Sequence, residues 1–314
     1  MTTYIFRRLA FLGLTILVTS LVIFVATQLL PGDVARVVLG REAGEEALAA
    51  FREANGLNDP LPVQYIRWLA NFATGDWGTS LSTRSEIFPV VIERLRNSLL
   101  LAGITMALAV PIAVTLGVFA GLNEDKVVDS TISIGSLAVV GLPEFVTGLV
   151  LIQIFARWLG WFPANSSIDP NATFAEKIPM LVLPALTATF VLLAYIIRLT
   201  RAGVIEELNR AYVRTAILKG LPYRLVIFKH VLRNALLPTI TIIAISFGWL
   251  ISGLIVIENV FNYPGLGRLL TFAIDRQDLP LLQAVAMVTV VGFGLANLAA
   301  DLIYAWLNPR IRLG

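Results

Sequence analysis

The chain has 314 residues, 57% of them apolar and only 14% charged, where a soluble domain carries about 25% charged residues. Its mean hydropathy of +0.80 excludes both an ordinary water-soluble globule and a disordered chain. The net charge of +3 is small, so where the charges sit matters more than their sum. With no cysteine and a single histidine, His230, disulfide frameworks, thiolate metal sites and cysteine nucleophiles are excluded, and most metal and acid–base chemistry with them.

Six stretches reach the ~20 mostly apolar residues that a helix needs to cross a bilayer core of ~30 Å. They run over about 9–30, 98–122, 130–159, 178–197, 235–257 and 281–307, and they predict an all-α integral membrane protein of six transmembrane helices. The first follows Arg7 and Arg8, but it outruns the ~7–15-residue apolar region of a signal peptide and no Ala-x-Ala-like site follows it, so it reads as an uncleaved anchor. The third holds Pro143, Glu144 and Gln153. Proline has no N–H for the i→i−4 bond, so a kink or break is expected at Pro143. A broken helix exposes the adjacent carboxylate of Glu144 to a water-filled cavity, or leaves it for an arginine of a partner chain.

Lysine and arginine in the short connections set the orientation. With the N-terminus inside, the inner segments hold twelve: Arg7, Arg8, Lys126, seven across 200–235, Arg310 and Arg312. The short outer loops hold three: Lys177, Arg268 and Arg276. Both termini are therefore expected in the cytoplasm. Residues 31–96 form an extracytoplasmic insertion after the first helix, with 7 basic and 9 acidic residues. Within it Tyr65, Trp68, Leu69 and Phe72 recur at i, i+3, i+4 and i+7, giving one aromatic helix face. That face suits either a helix lying on the headgroups or a docking surface for an outside partner. The chain so divides into residues 1–96, the first helix plus the insertion, and residues 97–314, a five-helix core.

Several chemistries are absent. A P-loop needs G-x-x-x-x-G-K-[ST], yet none of the four lysines, at 126, 177, 219 and 229, follows a glycine. Gly-Leu-Gly-Arg-Leu-Leu at 265–270 is a broken dinucleotide fingerprint outside any strand–helix unit. Intramembrane hydrolysis needs a nucleophile beside a base, and His230, in a basic segment four residues before Asn234, reads as a polar surface residue. The glycosylation-like triplets at Asn165 and Asn171 are short patterns that arise often by chance. Gly117 and Gly121 form a G-x-x-x-G that marks either close helix packing or the glycine content of the chain.

Residues 200–235 are too long for a simple inner loop and too ordered in pattern. Gly220 followed by Pro222 ends one helix and starts another. Ala211 and Thr215 pair small side chains at i, i+4 with Ala216 adjoining, and Arg210 and Arg214 form a second i, i+4 pair suited to partner carboxylates. Lys219 complements the helix C-terminus, and Gly220 permits the left-handed residue that ends it.

AYVRTAILKGL (211–221) followed by RNALLP (233–238) resembles the cytoplasmic coupling loop of ATP-binding-cassette importer permeases, and more narrowly that of the dipeptide/oligopeptide/nickel permease family. Four further segments fit in order: YIFRRL through LLPGD (4–33), DPLPVQYIRWL with GDWGTSL (59–81), ENVFNYPGLGRLL (258–270) and DLIYAWLNPRIRL (301–313). The general coupling motif begins Glu-Ala-Ala with Gly four residues after the second Ala; here Arg214, Thr215, Ala216 and Gly220 occupy those places, and Pro238 lies farther on, as in the peptide-family variant. The resemblance implies half of a translocation path in the inner membrane, paired with a second permease chain and served by two P-loop ATPase subunits and an extracytoplasmic substrate-binding protein, without nucleic acid. It implies no cofactor on this chain, ATP and magnesium being held by the ATPases. It implies coupling through Ala211, Arg214, Thr215, Ala216, Lys219 and Gly220. Peptides are the commonest cargo of the family; nickel chelates, opines and oligosaccharides are its others. A stand-alone secondary transporter would instead show inverted repeats and midplane charges. No repeat is visible, and Glu144, Asn297 and Asp301 are the candidate buried polar groups for a path, since a charge at the bilayer centre costs roughly 2.5–3.5 kcal/mol unless it faces protein or water.

Overall fold

The computed structural model describes residues 2–29, 34–40, 43–54, 56–167 and 173–307. Arg310 and Arg312, residues 30–33 and Asn171 with Ala172 lie outside the described residues. Among the described residues every extended element is helical, and the only β pairing is an isolated bridge between Thr79 and Glu86. The helices are α1 (Thr2–Gln28), α2 (Val34–Leu39), α3 (Glu45–Ala54), α4 (Leu61–Thr74), α5 (Ile87–Leu122), α6 (Val127–Val140), α7 (Glu144–Leu151), α8 (Phe174–Leu208), α9 (Ala211–Leu218), α10 (Tyr223–Leu225), α11 (Leu232–Ala235), α12 (Leu237–Gly253), α13 (Ile255–Val260), α14 (Leu266–Asp275) and α15 (Leu279–Leu307). Wide π turns extend α7 over Ile152–Trp158 and bridge α10 to α11 over Val226–Val231.

Four helices, α1, α5, α8 and α15, are long and apolar enough to cross a membrane unbroken. Two further stretches qualify only as bent pairs: α6 with α7 and its π extension, turning by 99°, and α10–α11 with α12, turning by 48°. The expected break at Pro143 is therefore present. Residues 141–143 separate the halves, and Pro143, at φ −55° and ψ 139°, is the extended residue that opens α7. Pro238 at the start of α12 accounts for the second bend in the same way.

Cross-links define two ends of the bundle. At the near end, Arg8 pairs with Asp301 at 2.7 Å and Arg201 with Asp129. At the far end, Gln283 donates to Thr27 Oγ1 at 2.7 Å, and the Ser166 N–H donates to the Phe261 carbonyl at 2.8 Å. The first bent pair thus starts at the near end and finishes at the far one. Ser166 also serves α8. Pro184 has no N–H for the carbonyl of Met180, four residues back, and the Ser166 hydroxyl donates to that carbonyl instead at 2.5 Å.

The core runs through α5, α7, α8, α12 and α13, with Leu101, Leu183, Ile196, Leu250 and Phe261 fully enclosed. Its tightest seam lies between α5 and α8. A Cβ on Gly117 would stand 2.6 Å from Thr200 Cβ and 2.8 Å from the Ile197 carbonyl, and one on Gly121 would stand 2.7 Å from Val204 Cβ. The G-x-x-x-G is a packing motif. Gly117→Leu is expected to wedge the two helices apart and to cost about 3 kcal/mol or more, overpacking against backbone being the harder kind to relax; a lower melting temperature of the detergent-solubilised chain is the readout, and an unchanged one would mean that the seam yields.

α5 begins at Ile87, eleven residues before the apolar stretch that announced it. At 36 residues it is ~54 Å long, well beyond a bilayer core. Its first turns stand clear at the far end, where Ile87 and Val91 pack with Leu266, Leu269 and Leu281 in a second core. One continuous helix therefore joins the insertion to the five-helix part.

Candidate coupling surface and far-end clamps

The segment at the near end folds as a short helix mounted on the bundle. Arg210, extended at φ −72° and ψ 143°, opens α9. Gly220 closes it at φ +77°, with its N–H donating to the Ile217 carbonyl at 2.9 Å and that of Leu221 to Ala216 at 3.3 Å. A left-handed residue at this point is what glycine supplies at least cost. Pro222 then stands just before α10, one position ahead of the first turn expected for it.

One face of α9 is anchored. Val213 is buried with Val204, Val226, Ile227, Val231 and Ala235, and Ala216 packs on that cluster together with Val118 and Leu122 from the end of α5. The Tyr212 hydroxyl donates to Glu207 Oε2 at 2.6 Å and accepts from Asn234 Nδ2 at 3.4 Å, tying α9 to the ends of α8 and α11. Burial is the main cause that pushes this hydroxyl above the usual tyrosine range. His230 is half-buried and contributes its carbonyl, which accepts from Asn234.

The expected small-residue docking face is only partly outward. Ala211, Arg214, Thr215 and Lys219 are exposed, but Ala216 turns inward. Eight residues make little more than two turns, too few for periodicity to fix which side faces out. Arg210 binds Glu206 at 2.6 Å within its own chain. What the outward side presents instead is apolar: Leu218 is 79% exposed and, on the following π turns, Phe228 is 73% exposed. Their presence among seven cations was the available signal in the sequence.

A clamp sits beside this mount. Arg201 of α8 grips Asp129 of α6 through two parallel bonds of 2.5 and 2.7 Å, the geometry in which arginine binds a carboxylate best. Asp129 also accepts from the Asp125 N–H and from Ser133. The ends of α5, α6, α8 and α9 thus form one braced unit.

The three path candidates are dispersed. Glu144 opens α7 at the break, half-buried, and its Oε2 is enclosed without a hydrogen-bond partner. Asn297 lies between α15 and α12, its Oδ1 facing Gly248. Asp301 is bound to Arg8 and so fastens the first helix to the last, its charge neutralised within the chain.

The aromatic face of α4 packs against the chain itself. Tyr65 and Trp68 lie 5.5 and 5.8 Å from Phe24 of α1, and the Tyr65 hydroxyl is 2.8 Å from Ser20 Oγ. Phe72 stacks on Trp77 at 5.0 Å, and Trp77 meets Phe88 edge-on at 4.8 Å. Leu69 is half-buried on the same side. The first span supplies the partner that this stripe needs.

Two buried carboxylates organise the rest of the far end, and sequence reasoning missed both. Asp278 accepts from the Leu281 N–H at 3.3 Å, capping α15, and from the Ser80 hydroxyl at 2.6 Å and the Ser82 N–H at 3.0 Å, which moors the turn over residues 75–82 to the last helix. Glu258 does the same for α14: its Oε1 accepts from Ser98 at 2.6 Å and its Oε2 from the Arg268 N–H at 3.0 Å, while the Leu266 N–H donates to Ser98 Oγ at 2.8 Å. Helix N-terminal amides are thereby satisfied, by the adjoining Asp278 at α15 and by Glu258 and the distant Ser98 at α14. Desolvation outweighs these bonds and pushes the Glu258 carboxyl up to about 7. Tyr263 closes the knot by donating to the Asn97 carbonyl at 2.7 Å, and burial raises its hydroxyl as well.

Comparison with known proteins agrees with this architecture. Over 312 residues the chain is 36% identical to a probable peptide ABC transporter permease protein of Sinorhizobium fredii, covering 99% of this chain and all of the relative. It is 38% identical over 315 residues to the glutathione transport system permease protein GsiC of Pectobacterium atrosepticum and 34% identical over 312 residues to that of Escherichia coli K12, with 99% of each chain covered in both cases. Residues 1–102 match the N-terminal component, and residues 113–313 the main component, of one family of membrane proteins. The chain belongs to the binding-protein-dependent transport system inner membrane component family.

Proposed function

We propose that this chain is one of two permease chains of an ATP-driven importer, forming half of a translocation path for peptides handed over by a substrate-binding protein. Each bent pair counts as one span, which gives six. Both termini and α9 lie on the cytoplasmic side of the inner membrane, the side that twelve of the fifteen cations in the short connections favour. Two P-loop ATPase chains dock there and hold ATP and magnesium; the chain itself is no enzyme. The binding protein docks at the far end, over the 31–96 insertion. The cargo follows from the relatives, which are named for peptide and glutathione transport.

The observation that carries the coupling reading is a short helix anchored by Val213 and Ala216 yet offering Leu218 outward. Exposed apolar side chains on a charged surface mark a partner site. Arg214, Ala211, Thr215 and Lys219 surround it, and Gly220 releases the chain from the helix. When the ATPases close on ATP, their cleft carries α9 with it, and the shared cluster at the ends of α5 and α8 turns that movement into helix displacement. Asp129 and Arg201 extend the braced unit to α6. Glu144, at the break, is the polar group we place on the path, with Asn297 beside the neighbouring helix pair.

Proteoliposomes holding this chain, its second permease and both ATPases are expected to accumulate labelled alanyl-phenylalanine only with ATP on the α9 side and the binding protein on the other. Uptake without either would overturn the importer reading. Failure to take up any di- or tripeptide would overturn the cargo.

A further inference from the structure

At the far end, between the start of α5, the mooring turn and α14, lies a cavity of about 400 Å³, within the size range of small-molecule sites. Arg94 and Arg268 both line it. Arg94 forms no hydrogen bond or ion pair with any described residue, and its Nε is enclosed without a partner. Arg268 spends one guanidinium nitrogen on the Asn262 carbonyl and has no carboxylate within ion-pair reach among the described residues. Glu258, the buried acid that acts on Arg94, is already held by Ser98 and a backbone amide. Two cations that repel one another therefore line one cavity; Glu93 and Glu258 offset Arg94 without an ion pair to it among the described residues, and a half-buried guanidinium left without a hydrogen-bond partner is costly.

The rest of the wall narrows the choice of anion. Leu269, Phe272 and Val90 make one side apolar, and Glu86 stands at the exposed rim. An inorganic phosphate would use the guanidinium forks but neither the apolar wall nor Glu86. A short peptide uses all three: a terminal carboxylate for the arginines, a side chain for the apolar wall and an ammonium for Glu86. We propose that this cavity is the entry subsite for a peptide in transit, holding its C-terminal carboxylate between Arg94 and Arg268. The inference rests on the peptide-importer reading.

The chain has no cysteine, so Thr83→Cys at the exposed rim of the cavity gives one reactive position in this chain for a membrane-impermeant maleimide, read on the band of this subunit. In the assembled transporter in nanodiscs, without binding protein, alanyl-phenylalanine is expected to protect this cysteine at a concentration about tenfold below that needed by its C-terminal amide, the difference one charge-assisted contact makes. Arg94→Gln combined with Arg268→Gln is expected to abolish that preference. If the double variant fails to assemble, the acid–amide contrast on the Thr83→Cys background decides alone. Equal protection by acid and amide, or no protection by either, would overturn the proposal. Uptake of the peptide in proteoliposomes together with any of these results would remove the subsite and leave the importer reading intact; the acid preference without uptake would remove the importer reading and leave a carboxylate site.

Discussion

Gly220→Val is expected to cut transport by about tenfold or more while the chain still inserts and purifies. At φ +77° a Cβ on residue 220 meets no atom within 4 Å, so the cost is conformational rather than steric. A left-handed L-residue costs roughly 1–2 kcal/mol and a β-branched one sits at the upper end of that range, which is about a tenfold loss of the properly ended helix. Gly220→Asn is the control: asparagine tolerates the left-handed region and should retain most activity. Ala216→Trp should also stop transport, but by a different route, because Ala216 packs inward on the Val213 cluster; the mount itself fails and thermal stability falls with it. Leu218→Asp separates docking from mounting, since Leu218 is 79% exposed and is not part of the Val213 cluster. It should weaken co-purification of the ATPases without lowering the melting temperature. If Gly220→Val and Leu218→Asp both transport normally with the ATPases retained, α9 is not the coupling element.

Local information was legible in the sequence and long-range pairing was not. The apolar stretches and the break at Pro143 follow from composition and from one missing N–H. The early start of α5 was masked because Glu93, Arg94 and Arg96 interrupt the apolar pattern over the helix's first turns. The aromatic stripe of α4 was visible from spacing, but its partner on α1 was not: Ser20 and Tyr65 are 45 residues apart. Ser98 and Glu258 are separated by 160 residues, Ser80 and Asp278 by 198, and Asp129 and Arg201 by 72. No periodicity encodes such pairs. The segments ENVFNYPGLGRLL and GDWGTSL stood out only through resemblance; the far-end geometry supplies their physical reason, one wrapping the Glu258 carboxyl and the other moored by Asp278.

The Glu258 knot predicts the largest loss of stability. A Cβ on Gly265 would overlap the Glu258 carboxyl group itself. That carboxyl cannot step aside without losing its partners, because Ser98 and the amide of Arg268 hold it and the core encloses it. Gly265→Ala should therefore expel it and strand those donors in the interior, at about 1–3 kcal/mol for each one left unpaired. A loss of several kcal/mol would appear as a sharp fall in melting temperature and in yield of the assembled transporter, and an unchanged melting temperature would mean that the carboxyl does not hold the far end together. The same group sets a pH dependence. Its folded-state value of about 7 lies above the ordinary 4.5, so the folded chain favours the protonated form. The stability contributed by that preference is fully present below about pH 4.5 and is lost as pH rises towards and through 7. Between pH 5 and 8 the melting temperature of the native chain should thus fall more steeply than that of Glu258→Gln, which cannot titrate. Glutamine presents an N–H₂ where one oxygen accepted, so its absolute stability is lower; the slope, not the level, is the test. Parallel slopes for the two proteins would place the titration elsewhere and leave Glu258 as a permanently ionised cap on α14.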